Sequence, residues 1–195
     1  MRVTPANVAD IGVVTDLWVE LAADQRVHGS HLVAEANREA VREAIARAIV
    51  AGEVFVARVN EEIVGFVMVS IEVGRYEQDV YRGTVDNIFV QPDDRGCGIG
   101  ALLLGTAERR LAAAGVDVVS LETMADNDAA RRFYEGHDYE SHRVELEKPI
   151  DANAVESEDD SPDGVVVDEP LPARDDSDNQ TDDADSNNVA SDDGG

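Results

Sequence analysis

A glycine-rich segment is the part of this chain whose residue types and spacing could do chemistry. Arg95-Gly96-Cys97-Gly98-Ile99-Gly100 follows a Val- and Ile-rich stretch and precedes an apolar helical pattern. This spacing predicts a strand, a loop and then a helix that begins at once. Such a loop can turn several backbone N–H groups toward one point at a helix N-terminus, which binds phosphate oxygens without a basic side chain. The glycines let the main chain approach an anion with no β-carbon in the way.

The charge of the chain divides it into two parts. The formal net charge is −26, from 42 acidic residues against 16 lysines and arginines. Residues 151–195 hold 16 of the acidic residues and one arginine, whereas residues 1–150 hold 26 acidic and 15 basic residues. Because 150 residues can bury a stable core, we predict one folded domain over 1–150. We predict an acidic disordered tail over 151–195, where apolar residues are few.

Composition also limits the compartment and the partners. Lys148 is the only lysine, and an acidic, lysine-poor chain favours a halophilic origin. In molar salt the screening length is about 3 Å, so the repulsion between the acidic residues would be tolerable there. An acidic tail on an ordinary mesophilic protein is the alternative. No basic surface is evident, so no nucleic-acid partner is expected. The single cysteine, Cys97, indicates a reducing compartment. Without a signal peptide or an apolar run of about 20 residues, we expect a cytoplasmic protein with no membrane partner.

Hydrophobic periodicity supplies the elements that must position the glycine loop. The predicted order is β-α-α-β-β-β-α-β-α-β, a mixed α/β domain. One crossover helix joins two strands, which should therefore lie parallel. Asn7 is expected to cap the first helix, and Gly52 is expected to end the second. The strands are predicted at residues 2–4, 54–59, 63–73, 82–90, 116–121 and 139–148.

Two sequence blocks resemble the GNAT family, the N-acetyltransferases that use acetyl-coenzyme A. The family's diagnostic loop is Gln or Arg, two variable residues, Gly, one variable residue, and Gly or Ala; residues 95–100 match it in full. Residues 121–139 resemble the family's strand, Asn-capped helix and Tyr-containing segment, although His137-Asp138-Tyr139 departs from the usual Phe after the glycine. The resemblance covers residues 1–148. It implies the GNAT fold, a mixed, mostly antiparallel sheet with a central splayed pair of parallel strands, flanked by helices.

The resemblance implies a site for acetyl-coenzyme A as co-substrate. Backbone amides of the glycine loop would hold its pyrophosphate, and its pantetheine arm would lie between residues 85–90 and 117–122. Arg95 would either hold the loop or contact phosphate. Asn127 would cap its helix and bond the arm, with the cap alone as the alternative. The predicted coenzyme-binding residues are Ile88, Phe89, Val90, Arg95, Gly96, Cys97, Gly98, Ile99, Gly100, Ala101 and Asn127.

Three side chains are predicted to be catalytic. Tyr134 is assigned as the general acid, because a phenol with a pKa near 10 stays protonated at neutral pH and can donate to a thiolate. Its neighbour Phe133 suits a packing role better. Glu122 and Asp86 are the candidate bases for the acceptor amine, and Glu122 ranks first because its spacing to Tyr134 occurs in some relatives. Either carboxylate could instead be merely solvated.

The function predicted from these residues is transfer of an acetyl group from acetyl-coenzyme A to a primary amine by direct attack. The acceptor could be a protein N-terminus, a lysine, a polyamine or a small metabolite. A non-catalytic acyl-coenzyme A sensor or regulatory module is the alternative. Relatives commonly end in two strands, and residues 139–148 have the length of one, so either the pair is merged or a second subunit of a homodimer supplies a strand. No His and Cys spacing predicts a metal site.

Overall fold

One mixed sheet organises the part of the chain that this computed structural model describes, residues 1–72 and 78–150. Its strands are β1 (Arg2–Pro5), β2 (Val54–Val59), β3 (Glu62–Ile71), β4 (Arg82–Val90) and β5 (Val118–Leu121), and they lie in that order in space. The first four strands pair antiparallel, whereas β4 and β5 are parallel. The predicted mixed, mostly antiparallel sheet is therefore confirmed.

In the described part of the chain, four α-helices cover the two faces of the sheet. They are α1 (Ile11–Gln25), α2 (Arg38–Ala51), α3 (Ile99–Ala113) and α4 (Asp128–Glu135). Helix α3 is the crossover that a parallel β4–β5 pair requires. Helices α1 and α2 pack on one face around buried side chains that include Leu17, Trp18, Ile45, Phe66 and Phe89. Side chains of α3 and α4 pack on the other face with Val67 and Val85. No helix among the described residues is both long and apolar enough to cross a bilayer.

The start of α1 is held by a cap and an ion pair. Asn7 accepts from the N–H of Ala9 and forms a capping box with Asp10, over a short 3₁₀ turn that leads into α1. Asp10 Oδ1 accepts from Arg58 Nη2 of β2 at 2.7 Å. The side chain of Asp10 is only 9% exposed and that of Arg58 only 17%. The predicted Asn7 cap is confirmed. At the far end of α2, Gly52 adopts φ 71°, the left-handed ending expected of it.

Strands β4 and β5 separate beyond their shared start. Their pairing runs from Arg82–Val118 to Val85–Leu121, after which β4 continues alone on this side to Val90. We call the space between β4 beyond Val85 and the chain after Leu121 the interstrand gap. Asp86 lies at a register shift, because Val85 is opposite Val69 whereas Asn87 is opposite Met68. The predicted splayed pair is thus present, with a β-bulge at the point of separation.

The prediction of a strand at residues 139–148 was wrong. The described residues 139–150 contain no strand, and the compact unit that holds the sheet ends at His142. Asp138 turns the chain with φ 65°, and the N–H of Tyr139 donates to the carbonyl of Tyr134 instead of a neighbouring strand. Val144 and Leu146 are 81% and 90% exposed. The alternation of apolar and acidic residues there is a local pattern, and it supplies no partner strand.

The ends of two strands differ from their predicted positions or lie outside the described residues. Strand β5 begins at Val118 because the N–H of Val116 is used to close the end of α3, on the carbonyl of Leu111. The predicted end of the third strand at Val73 lies outside the described residues, as does the whole tail, 151–195. From residue 143 a second unit begins, and its described part, 143–150, has no helix or strand.

Candidate active site

The glycine loop presents a run of free backbone donors at the start of α3. Gly96 and Gly98 adopt φ 77° and 83°, and Gly98 is the N-cap of α3 with no side-chain cap. The N–H of Leu102 makes the first intrahelical bond, to the carbonyl of Gly98. For the N–H groups of residues 96 to 101, the described part of the chain provides no acceptor. These donors and the positive end of the helix dipole together suit an anion.

Gly100, the third glycine of the loop, makes room for a neighbouring side chain, whereas it was expected to let the main chain approach an anion. A β-carbon on Gly100 would lie 3.3 Å from Cζ of Phe133, whereas β-carbons on Gly96 or Gly98 would meet nothing within 4 Å. Gly100 therefore lets the Phe133 ring of α4 pack against the first turn of α3. The predicted packing role of Phe133 agrees with this contact. Of the three glycines, Gly96 and Gly98 leave the space beside the free N–H groups open.

Arg95 turns its side chain away from the free donors. Its Nε donates to the carbonyl of Val90 at 2.9 Å, and its Nη2 donates to Asp24 Oδ2 of α1 at 3.1 Å. The guanidinium carbon also lies 5.5 Å from the centre of the Phe89 ring. Arg95 thus ties the loop to the end of β4 and to α1. Of its two expected uses, this geometry favours holding the loop.

Residues 88–90 of β4 form one wall of the interstrand gap. They pair with β3 through Val67, Phe66 and Gly65, so only alternate backbone groups are used and the others face the gap. The Ile88 and Val90 side chains pack on the α3 face, whereas Phe89 is buried on the α1 face. The main chain at these positions can therefore offer hydrogen bonds to a narrow, amide-containing ligand. The side chain of Phe89 is not part of this wall.

Helix α4 places Tyr134 on the α3 face of the sheet. Asn127 begins the helix by accepting from the N–H of Ala130 at 3.0 Å, which is the capping role predicted for it. Burial raises the pKa of Tyr134 to about 12. Its hydroxyl has no hydrogen bond to the described residues. The neighbouring phenol of Tyr139, whose ring centre is 6.0 Å away, already donates to Glu108 Oε1 at 3.1 Å. Tyr134 is thus the phenol of this pair with a free proton.

The two candidate bases stand at the start of the interstrand gap. Asp86 lies at the bulge of β4, and Glu122 follows the last residue of β5 as an exposed side chain. Ser70 Oγ donates to Asp86 Oδ1 at 2.8 Å. Partial burial raises the pKa of Asp86, the bond from Ser70 opposes this, and the nearby Glu53 charge raises the pKa again. The net effect is a carboxylate that is more basic than usual.

The acid candidate Tyr134 and the base candidate Asp86 lie on opposite faces of the sheet. Tyr134 packs in the cluster of the α3 face. Asp86 bonds to Ser70, which is opposite Thr84 in the β3–β4 register; their side chains point to the α1 and α2 face because the neighbouring Val85 points to the α3 face. Ser70 and Glu53 were missed by sequence reasoning. The one available signal was a serine that interrupts an otherwise apolar strand.

Comparison with known proteins assigns the family. Residues 18–139 match the model of the Acetyltransferase (GNAT) family, and the chain belongs to this family. An acetyltransferase of Pectobacterium atrosepticum is 42% identical to it over 86 residues. An uncharacterised N-acetyltransferase of Yersinia pestis is 40% identical over 86 residues. Each alignment covers 44% of this chain and 56% of the relative, so the chain spans little more than half the length of these curated relatives.

Solved structures establish the fold. A GCN5-related N-acetyltransferase from Ralstonia eutropha superposes with a TM-score of 0.62 at 22% identity, covering 76% of this chain and 97% of that one. PaiA N-acetyltransferase from Thermoplasma acidophilum, solved in complex with coenzyme A, gives a TM-score of 0.59 at 16% identity, covering 70% and 87%. The predicted GNAT fold and family are confirmed.

Proposed function

We propose that this chain transfers an acetyl group from acetyl-coenzyme A to a primary amine by direct attack. The observation that carries the proposal is the junction of two features: a run of free N–H groups, residues 96 to 101, and the interstrand gap beside β4. A diphosphate fits the first, because main-chain donors at a helix start hold phosphate oxygens. A narrow arm with amide groups fits the second. When bound, the thioester would supply an activated acyl group with a thiolate leaving group.

The side chains around the gap suit the two proton movements of this reaction. An acceptor ammonium must lose a proton before its nitrogen can form a bond to the acyl carbon, and we assign Asp86 to accept that proton. Its raised pKa makes it a better base than an ordinary carboxylate. Glu122, which directly follows β5, is the second candidate. Asp86→Asn and Glu122→Gln distinguish them, since loss of the base lowers kcat without weakening coenzyme binding.

In this proposal Tyr134 assists the departure of the sulfur. As the carbon–sulfur bond breaks, the thiolate gains a negative charge, which the free phenol can stabilise by donating its hydrogen. Since burial raises the pKa of Tyr134 to about 12, the phenol remains protonated throughout the neutral range. A backbone N–H of residues 88–90 directed at the acyl oxygen would stabilise charge there by about 3 kcal/mol. The acceptor amine itself is left open by these contacts.

A pair of glycine variants tests the site. Gly98 and Gly115 both have left-handed φ, 83° and 85°, and both have open space where a β-carbon would be. Gly98→Ala and Gly115→Ala should therefore destabilise the fold alike, by about 1–2 kcal/mol. Only the first lies in the loop, and we expect it to weaken coenzyme A binding about tenfold or more in calorimetry, the equivalent of about 1.4 kcal/mol. Equal affinity in both variants would contradict the loop assignment.

A turnover assay tests whether the chain transfers the acetyl group. Release of free thiol from acetyl-coenzyme A is followed with a panel of protein N-terminal peptides, lysine, polyamines and small amines, in both low and molar salt. Amine-dependent release supports the transferase. Tight coenzyme binding without release for any amine would contradict it and would favour the sensor module.

A further inference from the structure

The carboxylate of Asp86 has a dedicated hydrogen-bond donor on the neighbouring strand. Ser70 is opposite Thr84 in the β3–β4 register, so Asp86 is its diagonal neighbour. Diagonal side chains on an antiparallel pair lie within reach of each other, and the bulge at Asp86 adjusts the approach. The result is a bond of 2.8 Å from Ser70 Oγ to Oδ1 of the carboxylate. Its other oxygen, Oδ2, has no hydrogen bond to the described residues.

The charged groups around this carboxylate make the donor important. Glu53, just before β2, adds a negative charge nearby. On the β5 side, Glu122 follows the last strand pair. Further along β3 and β4, Arg82 is paired with Glu72 at 3.0 Å, so its charge is already compensated. Ser70 is therefore the side chain among the described residues that stabilises an ionised Asp86 directly.

We propose that Ser70 is a positioning residue for the catalytic base, because its hydroxyl holds the Asp86 carboxylate in one orientation with Oδ2 free to accept the amine proton. This inference rests on the proposed function. In the reaction one proton leaves the acceptor ammonium for Oδ2, the amine nitrogen bonds to the acyl carbon, and the carbon–sulfur bond breaks with its electron pair on sulfur. The thiolate takes the proton of the Tyr134 phenol, and the second proton that the nitrogen loses as the amide forms returns to the phenol through solvent. Ser70 keeps its own proton throughout and touches none of the reacting atoms.

Loss of the hydrogen bond from Ser70 should change the pKa of Asp86 in one direction. A donor to the ionised form lowers a carboxyl pKa, so its removal raises the pKa of Asp86 further. A general base acts in its ionised form, and activity is lost as pH falls through its pKa. In Ser70→Ala the acidic limb of kcat/KM should therefore move upward, by about one pH unit or more, as expected for a hydrogen bond to a charged group.

Three variants of the full chain test the inference. Ser70→Ala removes the hydroxyl, Ser70→Thr restores one on a β-branched residue that suits a strand, and Thr106→Val is the control. The Thr106 hydroxyl of α3 donates to the carbonyl of Leu102 at 2.7 Å and makes no bond to Asp86. We expect the acidic limb to move in Ser70→Ala and to stay at the wild-type pH in the other two. An unmoved limb in Ser70→Ala would overturn the inference.

A second readout does not depend on turnover. The side-chain carboxyl carbon of Asp86, followed by NMR through a pH titration without substrates, should titrate at higher pH in Ser70→Ala than in the wild type. If the titration moves while the rate profile does not, Ser70 holds a carboxylate that is not the base, and the inference is wrong. A wild-type chain that acetylates no amine would contradict the proposed function, and the titration would still decide whether Ser70 holds Asp86.

Discussion

Two phenols lie side by side on the α3 face, and their partners distinguish them. The Tyr139 hydroxyl donates to Glu108, and burial together with this carboxylate raises its pKa. The Tyr134 hydroxyl has no such bond within the described residues, although burial raises its pKa as well. A proton already donated to a carboxylate is poorly placed to serve a leaving group. Both phenols are protonated at neutral pH, so hydrogen bonding distinguishes them, and it supports the proposal of Tyr134 as the acid.

Replacing Tyr134 by Phe should lower kcat by about 10²–10³-fold, within the range of general acid catalysis. The coenzyme dissociation constant should change little, because the ring and its packing remain. Steady-state rates and calorimetry on the same preparation measure both. Tyr139→Phe is the control, since it removes a neighbouring hydroxyl and should keep turnover near the wild-type value. Equal turnover in Tyr134→Phe and the wild type would remove Tyr134 from the mechanism.

The pKa of Tyr134 also limits the alkaline side of the rate profile. The phenol acts while protonated, so activity that depends on it is present below its pKa and lost above it. Since burial moves this pKa from about 10 to about 12, turnover should show no loss between pH 9 and 10 from this residue. Rates measured up to about pH 10 on a chain shown to remain folded would check this. A decline near pH 9 that is absent in Tyr134→Phe would contradict it.

At the scale of elements, the ion pair between the start of α1 and β2 should carry much local stability. Asp10→Ala leaves Arg58 largely buried without its partner and also breaks the capping box with Asn7. We expect a loss of about 3–5 kcal/mol in the free energy of unfolding. The exposed pair of Arg2 and Glu61 is the comparison, and Arg2→Gln should cost about 1 kcal/mol or less. Urea midpoints at constant slope measure both, and similar losses would contradict the argument.

The elements that could be predicted from sequence are those whose residue pattern is matched by a packing or pairing partner in the fold. The strand, glycine loop and helix around residues 82–113 combine a β-rich run, left-handed glycines and a helical stripe, and each signal indicates the same structure. Residues 139–148 show a strand-like alternation too, but a strand exists only with a partner, and Tyr139 instead closes the end of α4. Alternation alone could not distinguish these cases.

The details of the candidate site depend on register, which local pattern does not encode. The hydrogen bond between Ser70 and Asp86 exists because β3 and β4 shift register at the bulge. No spacing between residues 70 and 86 in the sequence signals that shift. Likewise, Gly100 matches the family loop, yet its contact with Phe133 depends on how α4 packs on α3. The types of the site residues were predictable, whereas their partners required the tertiary structure.

For the whole molecule, the net charge of −26 predicts a strong dependence of stability on salt. Residues 1–150 alone carry 26 acidic against 15 basic residues, and their mutual repulsion opposes the compact state. The screening length is about 10 Å in 0.1 M salt and about 3 Å in 1 M salt, so the repulsion should fade across this range. Ion pairs such as that of Asp10 and Arg58 weaken too, but a buried pair is screened much less than exposed charges.

Thermal melting in sodium chloride tests this charge argument. Between 0.1 M and 2 M salt we expect Tm to rise by at least about 5 °C, which corresponds to roughly 1–2 kcal/mol for a chain of this size. Chloride is chosen because sulfate would raise Tm through surface exclusion whatever the charge. A chain truncated after residue 150 is the matched control, because repulsion within the tail need not oppose folding of the domain, and it should show the same rise. A Tm that is unchanged across salt would show that acidity does not destabilise the domain, and a rise confined to the full chain would assign the effect to the tail.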